Sequence, residues 1–396
     1  MPDIATLFPI TNPTLIFFVV MLIILSAPII MGKLRIPHII GMVLAGVLIG
    51  KYGFNILNRD DSFELFGNVG LYYIMFLAAL EMAMAGVKKN VKRMLIYGAL
   101  TCFIPFGLTF VMSVSMLKYS IMASLILGCI MASNTLIAYP IVGRYGLQRK
   151  PSVTLSVGAS MISLLTSLII LSAIENAHAG NSGIMFWAWF VAKIIIYCGV
   201  LSLIVPRLTR CFLRRYSDAV MQFIFVMAML FMSAALAEAV GVNGISGAFF
   251  AGLILNRYIP PVSPLMNRIE FIGNALFIPY FLIGVGMLIN VRLLFNGGNI
   301  LWVVFLIVVF GTVGKAIAAY LACFSFRMPW SSGRMMFGLT SAHAAGAIAM
   351  VMVGMKIEIA PGKYLVDDSM LNGVVMMILF TCIISTMVTE NAAQRI

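Results

Sequence analysis

Apolar runs of about 18 to 25 residues recur from Thr14 almost to the C-terminus, each long enough to cross a bilayer core of roughly 30 Å as a helix. In lipid every backbone polar group needs an internal partner, so a chain with such runs forms either a helix bundle or a closed barrel. A barrel would show short alternating segments, and the sequence has none. With 62% hydrophobic and 10% charged residues among 396, the chain reads as an all-α polytopic membrane protein. The opening MPDIATLFPITNP has no basic region ahead of the first apolar run, so that run is expected to be a span and not a cleaved signal. The six cysteines are scattered without CxxC spacing and read as small apolar residues, with neither disulfides nor a bound metal expected.

The hydrophobicity divides into about 13 transmembrane helices, at 13–32, 37–55, 65–86, 93–116, 119–142, 153–174, 185–206, 218–239, 242–256, 271–290, 299–324, 333–355 and 369–389. The ninth is short, and its boundary with the eighth is the least sharply marked. Counting Lys and Arg on alternate connections gives 18 on one side and 6 on the other, with Lys193 and Lys315 inside spans. Cytoplasmic connections collect basic residues, so the N-terminus is expected outside and the C-terminus in the cytoplasm of a bacterial inner membrane. The net charge of +13 is therefore a topology signal, and no nucleic-acid partner is expected.

The seventh span, followed by the Arg-rich stretch PRLTRCFLRRYSD (206–218), separates six spans from six. An odd span between two six-span halves places them in opposite orientations, the arithmetic of an inverted-repeat secondary transporter. The expected organisation is one transmembrane domain over 1–396, with repeat one at about 13–174, a linker helix at about 185–206, repeat two at about 218–389, and no cytoplasmic regulatory domain.

In such transporters the substrate sits at mid-membrane where two helices break and free their amides and carbonyls. The fifth span offers Ser133, Asn134 and Thr135 followed by Pro140, and the twelfth offers Ser341-Ala342-His343-Ala344-Ala345-Gly346. Both are fifth in their halves, so two crossing discontinuous helices are expected there. Small polar residues also serve as interhelical glue, the plainer reading of Ser133, Asn134 and Thr135. His343 is read equally as a residue satisfied by a neighbouring carbonyl or as a ligand or proton carrier. Lys315, deep in the eleventh span, is read either as a proton carrier or as a donor to carbonyls freed at a broken helix.

MASNTLIAYPIVGRYG (131–146), GISGAFFAGLILN (244–256), IEFIGNALFIPYFLIGVGMLIN (269–290) and GKAIAAYLA (314–322) together resemble the sodium/hydrogen exchanger family, within the monovalent cation:proton antiporter superfamily and especially its bacterial Kef-like and NapA-like branch. The resemblance spans essentially the whole chain. It implies an antiporter fold, a homodimer in the lipid bilayer, and elevator-type alternating access. It also implies exchange of Na⁺ or K⁺ for H⁺, small inorganic ions handled as substrates without a cofactor. The Asn134-Thr135 pair matches the family's polar break and Lys315 its basic residue in the eleventh span. Glu81, Glu238 and Glu270 fall on positions commonly acidic there, Glu81 and Glu238 being the acids that a displaced proton site would use.

The departure lies in VGASMISLLTSLIIL (157–171). The family usually carries an Asp in this span, often after Thr or Asp, and aligned on Gly158 the pair here becomes Ser163-Leu164. A carboxylate alternately holds a proton or a metal ion, whereas hydroxyls and an amide coordinate Na⁺ or K⁺ without titrating near neutrality. Three outcomes follow: a displaced acid, an altered specificity, or a membrane scaffold or sensor that no longer transports. An enzyme is not expected, because GxGxxG after a strand, a P-loop and HExxH are all missing from the sequence.

Overall fold

The computed structural model describes residues 9–34, 38–81, 91–147, 150–178, 183–288, 298–360 and 363–395. The helices are α1 (Pro13–Leu34), α2 (His38–Ile49), α3 (Asp61–Leu80), α4 (Val91–Ser115), α5 (Ile121–Ala132), α6 (Tyr139–Arg144), α7 (Pro151–His178) and α8 (Ile184–Arg215). They continue as α9 (Ala219–Ala239), α10 (Gly244–Leu255), α11 (Pro264–Ile272), a π turn at Gly273–Phe277, α12 (Ile278–Leu288), α13 (Gly298–Ser325), α14 (Trp330–Thr340), α15 (Ala345–Gly354) and α16 (Asp368–Ala393). Each of the thirteen expected segments overlaps one or more of these helices, residues 82–86 of the third and 289–290 of the tenth lying outside the described residues. Among the described residues nine helical stretches are long and apolar enough to cross a membrane, and α5 and α10 are shorter apolar helices.

The eighth and ninth segments are separate helices, α9 and α10. The stretch after Pro206, expected as a polar connection, is instead the last turns of α8. Arginine favours helix, and Arg207 Nη1 donates back to the Leu203 carbonyl of its own helix at 2.8 Å.

The chain forms two compact units. The first comprises residues 1–80, 203–233 and 248–298. Within it α2 packs closely on α12 because glycines face each other's backbone. A Cβ at Gly46 would lie 2.1 Å from the Ile283 carbonyl oxygen, and one at Gly286 would lie 2.1 Å from that of Val43. Neither helix can yield without separating. Gly46→Leu is therefore expected to destabilise the protein by at least about 1–3 kcal/mol, the usual cost of overpacking, read as a lower melting temperature in detergent.

The second unit comprises residues 81–202, 234–247 and 299–396. Its core joins α4, α7, α13 and α14 through Met94, Tyr97, Leu155, Ala159, Ala319, Ala322 and Met336. Tyr97 Oη donates to the Met336 carbonyl at 3.1 Å and lies 2.9 Å from Thr340 Oγ1, while Ser385 Oγ of α16 donates to the Gly338 carbonyl at 2.6 Å. These bonds fix the end of α14 where its helix stops.

Candidate ion site at two helix breaks

The two interruptions fall where the sequence places them. α5 stops at Ala132 because Ser133 turns extended (φ −64°, ψ 145°), and the chain resumes as helix only at Tyr139. Ser, Asn and Thr compete with the helix for backbone bonds, and Pro140 suits a helix start. α14 stops at Thr340, and α15 begins after Ala344, which lies outside the helical region and offers no side-chain cap. The breaks meet: Thr135 N–H donates to the Ala342 carbonyl at 2.9 Å.

Every carbonyl at the end of α5 has a partner. Ser133 N–H reaches Cys129 O and Ile130 O, and its Oγ donates to Ile130 O at 2.7 Å. His343 Nε2 lies 3.1 Å from Met131 O. Ala132 O accepts from both Ser163 Oγ at 2.6 Å and Lys315 Nζ at 2.8 Å. A helix C-terminus carries partial negative charge, so it favours the ammonium that it holds.

Lys315 is fully buried, and its other two bonds go to Thr101 O at 2.9 Å and to Asn134 Oδ1. Asn134 in turn donates from Nδ2 to Thr101 Oγ1 at 3.4 Å. Each oxygen is available for a reason written in the sequence. Ala132 O is freed by the break, and Asn134 sits inside it. Thr101 O is freed by Pro105, four residues on, whose missing N–H leaves that carbonyl unpaired within α4. Lys315 reaches all three because Gly314 lets α13 approach α4: a Cβ there would sit 2.8 Å from Pro105 Cα. The cage thus consists of three neutral oxygens around one ammonium.

Pro105→Ala should return an amide to Thr101 O inside the helix and loosen the hold on Lys315. The expected effect is about 1–2 kcal/mol, or roughly tenfold on any equilibrium in which the ammonium leaves the cage.

Leu164 occupies the position opposite both breaks. It is 2% exposed, and a Cβ at Gly346 would lie 2.9 Å from Leu164 Cδ1 and 3.6 Å from Ser133 Cβ. Its carbonyl accepts from Ser167 Oγ at 2.8 Å. The structure therefore brings Ser133, Asn134, Thr135, Ser163, Leu164, Lys315 and His343 together in the second unit. Glu81, just beyond α3, and Glu238, in the last turn of α9, are exposed, whereas the bonds that hold Lys315 are buried. Of the other Asp and Glu side chains, Glu175 stands on the same helix as Leu164, about three turns away, and receives Asn243 Nδ2 at 3.3 Å on both carboxylate oxygens. Sequence reading missed Thr101, Pro105 and Glu175. The signal for the first two was a proline inside a long apolar helix.

The sodium/hydrogen exchanger, transmembrane, family pattern matches residues 20–393. The chain belongs to the sodium/hydrogen exchanger family. It is 32% identical over 395 residues to the Na⁺/H⁺ antiporter NhaS5 of Synechocystis sp. (strain ATCC 27184 / PCC 6803 / Kazusa), a match covering 98% of this chain and 55% of that protein's length. It is 29% identical over 290 residues to the probable Na⁺/H⁺ antiporter 3 of Methanocaldococcus jannaschii, covering 72% of this chain and 74% of that protein. The chain thus spans little more than half the length of the first of these relatives. Among solved structures, the sodium proton antiporter MjNhaP1 of Methanocaldococcus jannaschii superposes with a TM-score of 0.73 at 16% identity, covering 98% of both chains, which shows the antiporter fold. This is a family of membrane transporters and not of enzymes.

Proposed function

We propose that this exchanger-family member swaps a monovalent cation, Na⁺ or K⁺, for a proton across a bacterial inner membrane, with Lys315 as the proton-bearing group. The observation that carries the reading is the cage of Thr101 O, Ala132 O and Asn134 Oδ1 around Lys315 Nζ. A metal cation and an ammonium both require those oxygens. Entry of the cation displaces the side chain, which leaves as the neutral amine after giving up its proton. Return of the proton restores the ammonium and expels the cation. Because Leu164 contributes no charge, the cage holds a single positive charge in either state, so the exchange is one for one and electroneutral.

Alternating exposure is assigned to elevator-type movement of the unit that contains the site, in a homodimer. The N-terminus is assigned outside and the C-terminus to the cytoplasm, on the basic-residue asymmetry of 18 against 6. The division into two six-span repeats about a linker helix completes the assignment.

Competition between one proton and one cation sets the pH dependence. As pH falls while Lys315 is largely protonated, the cation concentration for half-maximal exchange should rise about tenfold per pH unit. Proteoliposomes with an internal pH dye, challenged with Na⁺, K⁺ or Li⁺ over a range of pH, check this directly. A second reading is favoured by the packing of Leu164 and Ser133 against Gly346, which puts hydrocarbon beside both breaks. In that reading the chain is a membrane scaffold or sensor that does not transport, and no ion moves protons at any pH.

A further inference from the structure

At the crossing of the two breaks, His343 has its hydrogen bonding half finished. The residue is fully buried. Its Nε2 faces Met131 O at 3.1 Å, and a carbonyl only accepts, so in the neutral ring Nε2 carries the proton and Nδ1 is a lone-pair acceptor. Among the described residues Nδ1 has no hydrogen-bond partner. A buried acceptor without a partner calls for a donor.

The carbonyl tied by His343 precedes the one that holds Lys315, so the ring is anchored to the helix end that carries the oxygen cage. The chain also shows what that end accepts: a primary ammonium, each N–H directed at an oxygen. We propose that His343 Nδ1 is a ligand-receiving acceptor that selects a monovalent cation bearing N–H donors, ammonium or a small primary ammonium, over K⁺ of similar size. The inference rests on the reading of this site as a cation site and names the class of cation that it prefers. Ammonium uses oxygen and nitrogen acceptors together. K⁺ offers no hydrogen to Nδ1, and hard alkali cations are poorly served by an imidazole nitrogen.

The test is equilibrium binding, separate from transport. The purified full chain is melted in detergent with NH₄Cl, methylammonium chloride or KCl at matched ionic strength and pH, so that stabilisation reports ligand bound to the folded state. The expected result is half-maximal stabilisation by ammonium at a concentration at least about tenfold below that for K⁺. His343→Gln places an amide donor near the Nε2 position and removes the Nδ1 acceptor. It should fold with its tie to Met131 and lose the ammonium preference. His343→Asn keeps an acceptor near Nδ1 and loses that tie; it should melt lower yet keep the preference. Equal response of the unsubstituted protein to ammonium and K⁺ overturns the proposal, and so does a preference that survives in His343→Gln. A ring protonated on both nitrogens, with no acceptor left to receive a donor, gives the first of these outcomes. If ammonium preference is found but proteoliposomes exchange no ion, the transport reading fails and this one stands.

Discussion

Lys315→Met is expected to abolish cation-driven proton movement in proteoliposomes, by on the order of 100-fold or more, the scale at which loss of a positioned proton-transferring group is felt. The folded state should survive. Removing the amine leaves Thr101 O and Asn134 Oδ1 without their donor, at about 1–3 kcal/mol each. It also relieves the burial of an ammonium, which costs several kcal/mol even after relaxation. These terms oppose each other and are of similar size, so the melting temperature moves little while activity disappears. Ala132 O keeps Ser163 in either case. Lys315→Arg sharpens the result, because a guanidinium remains charged at any working pH and cannot yield the cage by losing its proton. It should therefore bind no metal cation, although its positive charge is intact.

Leu164→Asp is expected to change the charge moved per cycle. In the proposed cycle the native site carries one positive charge whether a proton or a metal cation is bound, so an imposed membrane potential should leave the rate unaltered. With a carboxylate added, the cation-loaded site has that carboxylate ionised, Lys315 neutral and one metal ion, a net charge of zero. The proton-loaded site has both side chains protonated, a net charge of plus one. Two protons then exchange for one cation and the rate becomes sensitive to potential. Valinomycin-clamped proteoliposomes measure it, comparing the initial dye response at two set potentials. An inert native protein beside an active Leu164→Asp variant would instead identify Leu164 as the residue that silences a carrier, which is the scaffold reading.

Much of this architecture was legible because membrane insertion leaves so few choices. Span length located the helices, and polar residues interrupting two apolar runs located both breaks. The inside of the site was legible only in part. Asn134, Lys315 and Leu164 stood out as polar, charged and displaced residues against a known pattern. Which oxygens Lys315 would meet did not, since Thr101 contributes through a backbone carbonyl that any residue type would supply. Its availability depends on a proline four positions along, a signal that reads as a mere kink until a donor from another helix is seen to fill it. Helix ends were less readable: α8 runs on to Arg215 through residues of good helix propensity, while hydropathy alone stops it at Pro206.

The acids show the opposite failure. Glu81 and Glu238 attracted attention by matching positions in the family pattern, yet the fold leaves both at the surface. Glu175 lies on the helix that carries Leu164 and contacts Asn243, but nothing in its local sequence distinguishes it from a residue at a helix end.

The central claim is that the Lys315 ammonium and a metal cation compete for one set of oxygens. Proton release on cation binding tests it most directly. The purified protein, in weakly buffered detergent solution near the pH at which exchange is half-maximal, is titrated with NaCl or KCl while released protons are counted. Up to about one proton released per chain at saturation is expected, and none from Lys315→Met. Cation binding without proton release, or release that persists unchanged in Lys315→Met, would contradict it.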